Sequence, residues 1–213
     1  MILITTAGKV GSAAARLIAQ RDGPVRVLVR HPEKVAEKVA PLAQAGVEIF
    51  PGDLDSPESI DQAMRSVSRV VLVTPPVLSQ ELSVIDSAER AGVEHVVKIT
   101  NKAETHSPIA RRRIQSEIED ALVASRLPYT LLRNNAYMQS FLMMAAGIAQ
   151  TNSFRTATGD GRVGLVDVRT WPLALPRSRS PPPAMPERRT GRRGLSRFRA
   201  MTWPRSSPRF LAD

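Results

Sequence analysis

"ILITTAGKVGS", residues 2–12, decides how the rest of the chain is read. Ile2, Leu3 and Ile4 run into Thr5 as a short apolar stretch, the pattern of a buried strand. From Lys9 the small residues of "KVGSAAARLIAQ" lead into helical spacing and predict a helix. A strand that becomes a helix through Gly8 and Gly11 matches the first turn of a dinucleotide-binding unit. Gly8 lets backbone approach a pyrophosphate, and Gly11 lets the helix pack close to the sheet. The helix N-terminus adds unpaired N–H groups and a partial positive charge. The same stretch also describes a glycine-bearing turn that holds no ligand.

Outward from this turn, strands alternate with helices. "VRVLVR" (25–30), "VEIF" (47–50), "RVVLVT" (69–74), "EHVVKIT" (94–100) and "PYTLLR" (128–133) predict five further strands. Helices are expected over 32–46, from Ser56, over 78–91 and over 109–125. Ser56, Pro57 and Glu58 form a helix start signal. In the fifth helix Ile114, Ile118, Ala121, Leu122 and Ala124 or Ser125 fall on one side. "VDVR" (166–169) alternates as a half-buried strand would. The pattern predicts an α/β fold: a Rossmann-type doubly wound parallel sheet with helices on both faces, over residues 1–169, followed by an irregular C-terminal tail over 170–213.

Composition narrows the function classes. The 213 residues are 42% hydrophobic, enough for a core, and hold no Cys. His31, His95 and His106 make no ligand spacing, so no metal site is expected. No stretch reaches the roughly 20 apolar residues that a membrane span needs. The N-terminal apolar run is too short for a signal peptide, so a cytoplasmic protein is expected. Of the net charge of +10, +8 belongs to the tail: residues 170–213 carry ten Arg, no Lys and only two acids. The body is nearly neutral, which argues against a nucleic-acid partner. A homodimer is left open.

The second strand ends "LVRHPEK". An NAD-binding domain usually places an acid here, for the ribose 2′-hydroxyl. Arg30 suits a 2′-phosphate instead, with Lys34 as a second charge, so the sequence favours NADP(H) over NAD(H). A solvated arginine at a strand end is the alternative. Arg111–Arg113 reads as a solvated helix face, with phosphate contact as the alternative. Phe141, Leu142, Met143 and Met144 are read equally as core or as cleft wall.

With these pieces in order, the chain resembles the NmrA-like group of atypical short-chain dehydrogenases, which includes quinone reductase-like and triphenylmethane reductase-like proteins. "GKVG", "VRHPEK", "GVEIFPGDLDSPESI", "VTPP", "ERAGVEHVVKIT", "SRLPYTLLRNNAYMQ" and "GDGRVGLVDVR" carry the resemblance across residues 2–169. It implies NADPH-dependent hydride transfer to a quinone-like small-molecule acceptor. A non-enzymatic NAD(P)-binding redox sensor is the alternative. Thr5, Gly8, Lys9, Val10 and Gly11 look like the phosphate loop, and Arg30 and Lys34 like the NADP-selecting pair. Asp53 and Leu54 resemble residues beside the adenine, and Thr74 and Pro75 residues bordering the cofactor ribose. Asn134, Asn135 and Tyr137 would lie near nicotinamide and substrate.

The chain also departs from the family pattern. The loop "TTAGKVG" lacks the first glycine of the family's Gly-x-x-Gly-x-x-Gly. No Tyr-x-x-x-Lys is present. Many relatives carry His-x-x-x-Glu on the fifth helix, where this chain has Arg113 and Glu117. The catalytic candidates are therefore Arg113, Glu117 and Tyr137. Without the tyrosine–lysine acid, direct hydride transfer to an acceptor that takes the charge itself is the expected chemistry.

From Thr170 the text turns to Pro, Arg and Ser with almost no period, and it holds 8 of the 17 prolines. Read one base earlier, the single-codon residues force family-like identities. Trp171–Pro172 gives Ala, Met185–Pro186 Ala, Met201–Thr202 Asp and Trp203–Pro204 Ala. Arg without Lys is what an out-of-frame GC-rich gene produces. Residues 170–213 are accordingly read as a non-native, disordered tail, translated after a frameshift near Arg169. A genuine basic tail is the alternative. Exposed apolar area costs about 25 cal/mol per Å², against a domain stability of about 5–15 kcal/mol. Inserting one base at codon 170 should therefore raise the melting temperature and the quinone reductase rate together. Equal stability and turnover in the two proteins would defeat the frameshift reading.

Overall fold

The computed structural model describes residues 1–21, 23–134, 136–153 and 164–170, all within the unit Met1–Ser180. Asn135 and the tail from Trp171 onward, for which the sequence raises expectations, lie outside the described residues.

Six parallel strands form the main sheet: β1 (Ile2–Ile4), β2 (Val25–Val29), β3 (Glu48–Pro51), β4 (Arg69–Leu72), β5 (His95–Thr100) and β6 (Tyr129–Arg133). Their order is β3-β2-β1-β4-β5-β6. The connecting helices are α1 (Lys9–Arg21), α2 (Ala36–Gln44), α3 (Pro57–Ala63), α4 (Leu78–Arg90) and α5 (Ala110–Ala124). The fold is therefore the doubly wound Rossmann type. The order reverses between β1 and β4, and a crevice opens there at the carboxyl ends of the strands.

Both faces of the sheet are covered, which explains why the strands read as continuous apolar runs. Leu3, Leu28, Val70, Leu72 and Val96 point to one side, where Ile60, Val84, Ile85, Ile118 and Leu122 of α3, α4 and α5 pack on them. Ile4, Val27, Val71, Val97 and Ile99 point to the other, against Ala14, Ala15 and Ile18 of α1 and Val39 and Leu42 of α2. All six residues of β5 are buried. The start signal at α3 takes the expected form: the Ser56 hydroxyl accepts from the Ser59 N–H at 3.2 Å, with Pro57 as the first helical residue.

Past β6 the chain makes β7 (Ala136–Tyr137), a 3-10 helix (Met138–Met143), α6 (Ala145–Thr151) and β8 (Leu165–Val166). β7 and β8 pair in parallel as a separate small sheet.

Four local expectations are corrected. The segment after Arg30 is not one helix over 32–46, because a 3-10 helix (Pro32–Val35) precedes α2. The strand expected over 166–169 is shorter and starts one residue earlier, at Leu165–Val166. There the Asp167 carboxylate accepts from the Arg169 N–H at 2.8 Å, and the Asp167 carbonyl accepts from the Thr170 N–H at 3.0 Å, so local bonds close a turn. In α5 the buried residues are Gln115, Ile118, Glu119 and Leu122, so two polar residues face inward and Ala124 faces out. The segment Phe141–Met144 is neither core nor cleft wall among the described residues; Leu142 and Met143 are 73% and 75% exposed. No helix of the described residues is long and apolar enough to cross a membrane.

Candidate cofactor groove and active site

The first turn is bolted to the exit of β4. The Thr5 hydroxyl accepts from the Val73 N–H at 2.9 Å, and the Thr6 hydroxyl donates to the Val73 carbonyl at 2.8 Å. Thr5 is itself buried. The Ser12 N–H donates to the Gly8 carbonyl at 2.8 Å, which marks Gly8 as the entry to α1. No acid sits in the first turn of α1, so the free N–H groups there meet no carboxylate from the helix itself. A Cβ on Gly8 would meet only the Thr6 hydroxyl oxygen, at 3.7 Å. The protein leaves the space beside Gly8 open, as a pyrophosphate cradle requires.

Two cavities flank this turn. One, of about 370 Å³, runs over the ends of β2 and β3, lined by Thr6, Val29, Arg30, Lys38, Asp53 and Leu54 among others. The second, of about 540 Å³, lies over β4, β5 and β6, lined by Thr74, Thr100, Arg112, Gln115, Asn134 and Tyr137 among others. Pro75 lines both, and Val10 of α1 lines the second. Together they make a groove across the switch point, with the helix N-terminus at its middle.

In the first cavity Arg30 donates to Asp53 at 2.7 Å and also to Asp55. The Arg30 hydrogen bond holds the Asp53 carboxyl below its ordinary range. Gln80 donates to Asp55 at 2.7 Å, and the Asp53 N–H donates to the Ser59 hydroxyl at 2.9 Å. Lys34 is exposed and does not line this cavity; Lys38 does. The 3-10 turn before α2 resets the helical phase and brings Lys38 round instead.

Beneath the second cavity lies a buried ion pair. Lys98 and Glu81 are both 0% exposed, and the ammonium stands 2.8 and 2.5 Å from the two carboxylate oxygens. The Thr74 hydroxyl donates to the same carboxylate at 2.6 Å. Burial pushes the Glu81 pKa up and the Lys98 pKa down, each against the pull of its partner. Beside it, the Thr100 hydroxyl stands 2.8 Å from Gln115 Oε1 and 2.9 Å from Glu119 Oε1. One hydroxyl hydrogen serves only one of them at a time. Arg133 grips Glu119 through Nε and Nη2.

Tyr137 sits at the far wall. Asn134 donates its amide N–H to the Tyr137 hydroxyl oxygen at 2.8 Å, and burial pushes the phenol pKa up. Arg113 and Glu117 are exposed and line neither cavity; Arg113 instead donates to the Ser107 carbonyl at 2.7 Å. Sequence reasoning missed Lys38, Glu81, Lys98, Thr100, Gln115, Glu119 and Arg133. Lys98 alone left a plain signal, a lysine inside the apolar run of "EHVVKIT".

Residues 1–162 match the model of the NmrA-like family, and the chain belongs to that family. It is 36% identical to the (4-alkanoyl-5-oxo-2,5-dihydrofuran-3-yl)methyl phosphate reductase of Streptomyces griseus over 175 residues, which cover 79% of this chain and 59% of that protein. It is 31% identical to the NAD(P)H azoreductase of Xenophilus azovorans, again over 79% of this chain and 59% of the relative. The chain thus spans about 59% of the length of these curated relatives. Among solved structures it is similar to the Citrobacter sp. triphenylmethane reductase complexed with NADP(H). The TM-score is 0.70 at 27% identity, over 81% of this chain and 63% of that one.

Removing Lys98 would strand a buried carboxylate. Lys98→Met should cost about 3–5 kcal/mol at neutral pH, the usual penalty for breaking a buried pair. Without the ammonium, the folded-state pKa of Glu81, already above the ordinary glutamate value of 4.5, rises further. The folded variant therefore binds a proton more tightly than the unfolded chain does. Its deficit should be smallest below pH 4.5 and grow as pH rises towards the folded-state pKa. Urea denaturation of both proteins from pH 4 to 8 checks this; a deficit independent of pH would contradict it.

Proposed function

We propose that the chain is an NADP(H)-dependent reductase that passes hydride to a quinone-like or similar small acceptor, with residues 1–169 as its cofactor-binding domain. The observation that carries this reading is the pair of cavities meeting at Pro75 on either side of the Gly8–Gly11 turn. A dinucleotide needs that layout: an anion site in the middle and a pocket at each end. The named relatives reduce a dihydrofuranone phosphate, azo compounds and triphenylmethane dyes, which supports a reductase of broad acceptor chemistry.

The residues fit the cofactor. Thr5, Gly8, Lys9, Val10 and Gly11 would hold the pyrophosphate at the head of α1. Arg30 would take the 2′-phosphate, exchanging its exposed Asp53 and Asp55 partners for a bidentate phosphate contact. Leu54 would pack beside the adenine, and Thr74 and Pro75 would border the second ribose. The Thr74 hydroxyl, having given its hydrogen to Glu81, presents only lone pairs to a ligand. The bound nicotinamide would supply the hydride.

Tyr137 is the proposed proton donor. Its oxygen already accepts from Asn134, so its own hydrogen is free to point at an acceptor oxygen. Its raised pKa keeps that hydrogen in place at neutral pH. Arg113 and Glu117, outside both cavities, have no part in this scheme.

Two measurements test the reading. Replacing Arg30 with Asp should weaken NADPH binding and spare NADH; equal affinities for the two cofactors in the parent would defeat the assignment. Tyr137→Phe should lower kcat about 10–100-fold with a quinone, whose reduced oxygen takes a proton. The loss should be smaller with a cationic dye, whose carbon takes the hydride without one. Equal losses with both acceptors would remove Tyr137 from proton transfer.

A further inference from the structure

The three consecutive arginines at the head of α5 are not equivalent. Arg113 turns back to donate to the Ser107 carbonyl and pins the loop between β5 and α5. The same loop is held by a bond of 3.0 Å between the Thr105 and Ser116 hydroxyls, and by the Glu104 N–H donating to the Arg112 carbonyl at 3.2 Å. With the loop fastened down, Arg111, Arg112 and Lys102 line the second cavity.

The lining of that cavity contains these three cations and no acid. Glu104, outside the lining, is the partner of two of them, at 3.7 Å from Lys102 and 3.6 Å from Arg112. Both distances exceed a hydrogen bond, and Lys102 is mostly exposed, so the attraction is weak. Arg111 makes no ion pair among the described residues. The wall also holds the Asn101 side-chain oxygen, buried without a hydrogen-bond partner. Turned the other way, the same amide presents N–H to a ligand. A cavity with surplus positive charge, two planar guanidinium forks and an unpaired amide has the chemistry of an anion site.

This anion site is distinct from the two that a dinucleotide needs. The pyrophosphate falls at the head of α1 and the 2′-phosphate at Arg30, whereas Arg111 and Arg112 stand beyond the end of β5, across the groove from Arg30. We infer that Lys102, Arg111 and Arg112 form an acceptor subsite that selects substrates carrying a sulfonate, phosphate or carboxylate group, with the reducible end turned towards Tyr137. The inference rests on the reductase reading above.

The test compares 1,2-naphthoquinone-4-sulfonate with uncharged 1,2-naphthoquinone under NADPH, in the full chain and in Arg111→Gln and Arg112→Gln. The parent should show the higher kcat/KM with the sulfonate, and added salt should shrink that advantage. Each substitution should lower the sulfonate-to-neutral ratio about tenfold, through KM. Equal ratios in parent and variants would overturn the subsite. So would a parallel loss of NADPH affinity, because the arginines would then serve the cofactor. If neither quinone is reduced, the reductase reading fails, and binding of non-reducible naphthalene-2-sulfonate decides the subsite. Thermal stabilisation by that anion, absent with 2-naphthalenemethanol and lost in both variants, upholds it. No stabilisation in the parent overturns it.

Discussion

The carbonyl of Thr6 occupies the place where a side chain on Gly11 would have to stand. A Cβ there would lie 1.9 Å from that oxygen and 3.4 Å from the Ile4 side chain. Helix α1 can lie this close to the end of β1 only with glycine at position 11. The loop cannot retreat to make room. Thr5 and Thr6 tie it to both backbone groups of Val73, and the Thr5 N–H reaches the Val71 carbonyl at 3.2 Å. The end of β1, the head of α1 and the exit of β4 therefore move as one piece. That piece sets the groove: Thr6 and Ala7 face one cavity, Val10 and Val73 the other, and Pro75 both.

Most of this architecture is legible in the residues, because both faces of the sheet are buried. Each strand then reads as a mostly apolar run, interrupted by Arg26 in β2 and Lys98 in β5, and each helix as a period with a glycine or proline near its end. Strand ends shift by a residue or two, where apolar character outlasts the ladder. "VDVR" deceives more seriously. Its alternation is real, but Asp167 bonds the backbone and guanidinium of Arg169, and this local contest between side chain and ladder leaves no mark in a hydrophobic pattern.

The groove was legible in part. Arg113 and Glu117 are expected from likeness to the family's His-x-x-x-Glu, yet the inward pair of that spacing is Gln115 and Glu119. Two residues along an α-helix turn it by about 200°, nearly to the opposite side. The same issue of phase separates Lys34 from Lys38, because a 3-10 turn starts the segment. The apolar period marks the buried face of α5 through Ile118 and Leu122, but it does not say which polar residues share that face. Gln115 and Glu119 do so because Thr100 and Arg133 receive them, and those partners lie on two other strands, out of reach of any local pattern.

The charges along the groove follow a common rule. Arg30 has Asp53 and Asp55 beside it, and Lys102 and Arg112 share Glu104. These pairs are exposed and therefore weak, unlike the sealed Glu81–Lys98 pair underneath, whose two charges have nowhere else to go. A weak pair gives a long cation a direction without locking it. It also makes the cation a poor target for a dilute anion that makes no other contact in the groove, because a carboxylate must first be displaced. A ligand already held elsewhere in the groove has no such difficulty. Its phosphate or sulfonate arrives at high effective concentration and can offer a bidentate contact that Glu104, at 3.6–3.7 Å from its two cations, does not make. In the proposed reading, the arginines at both ends would respond to anions that belong to a bound molecule, and the buried pair between them would keep Thr74 fixed while they exchange partners.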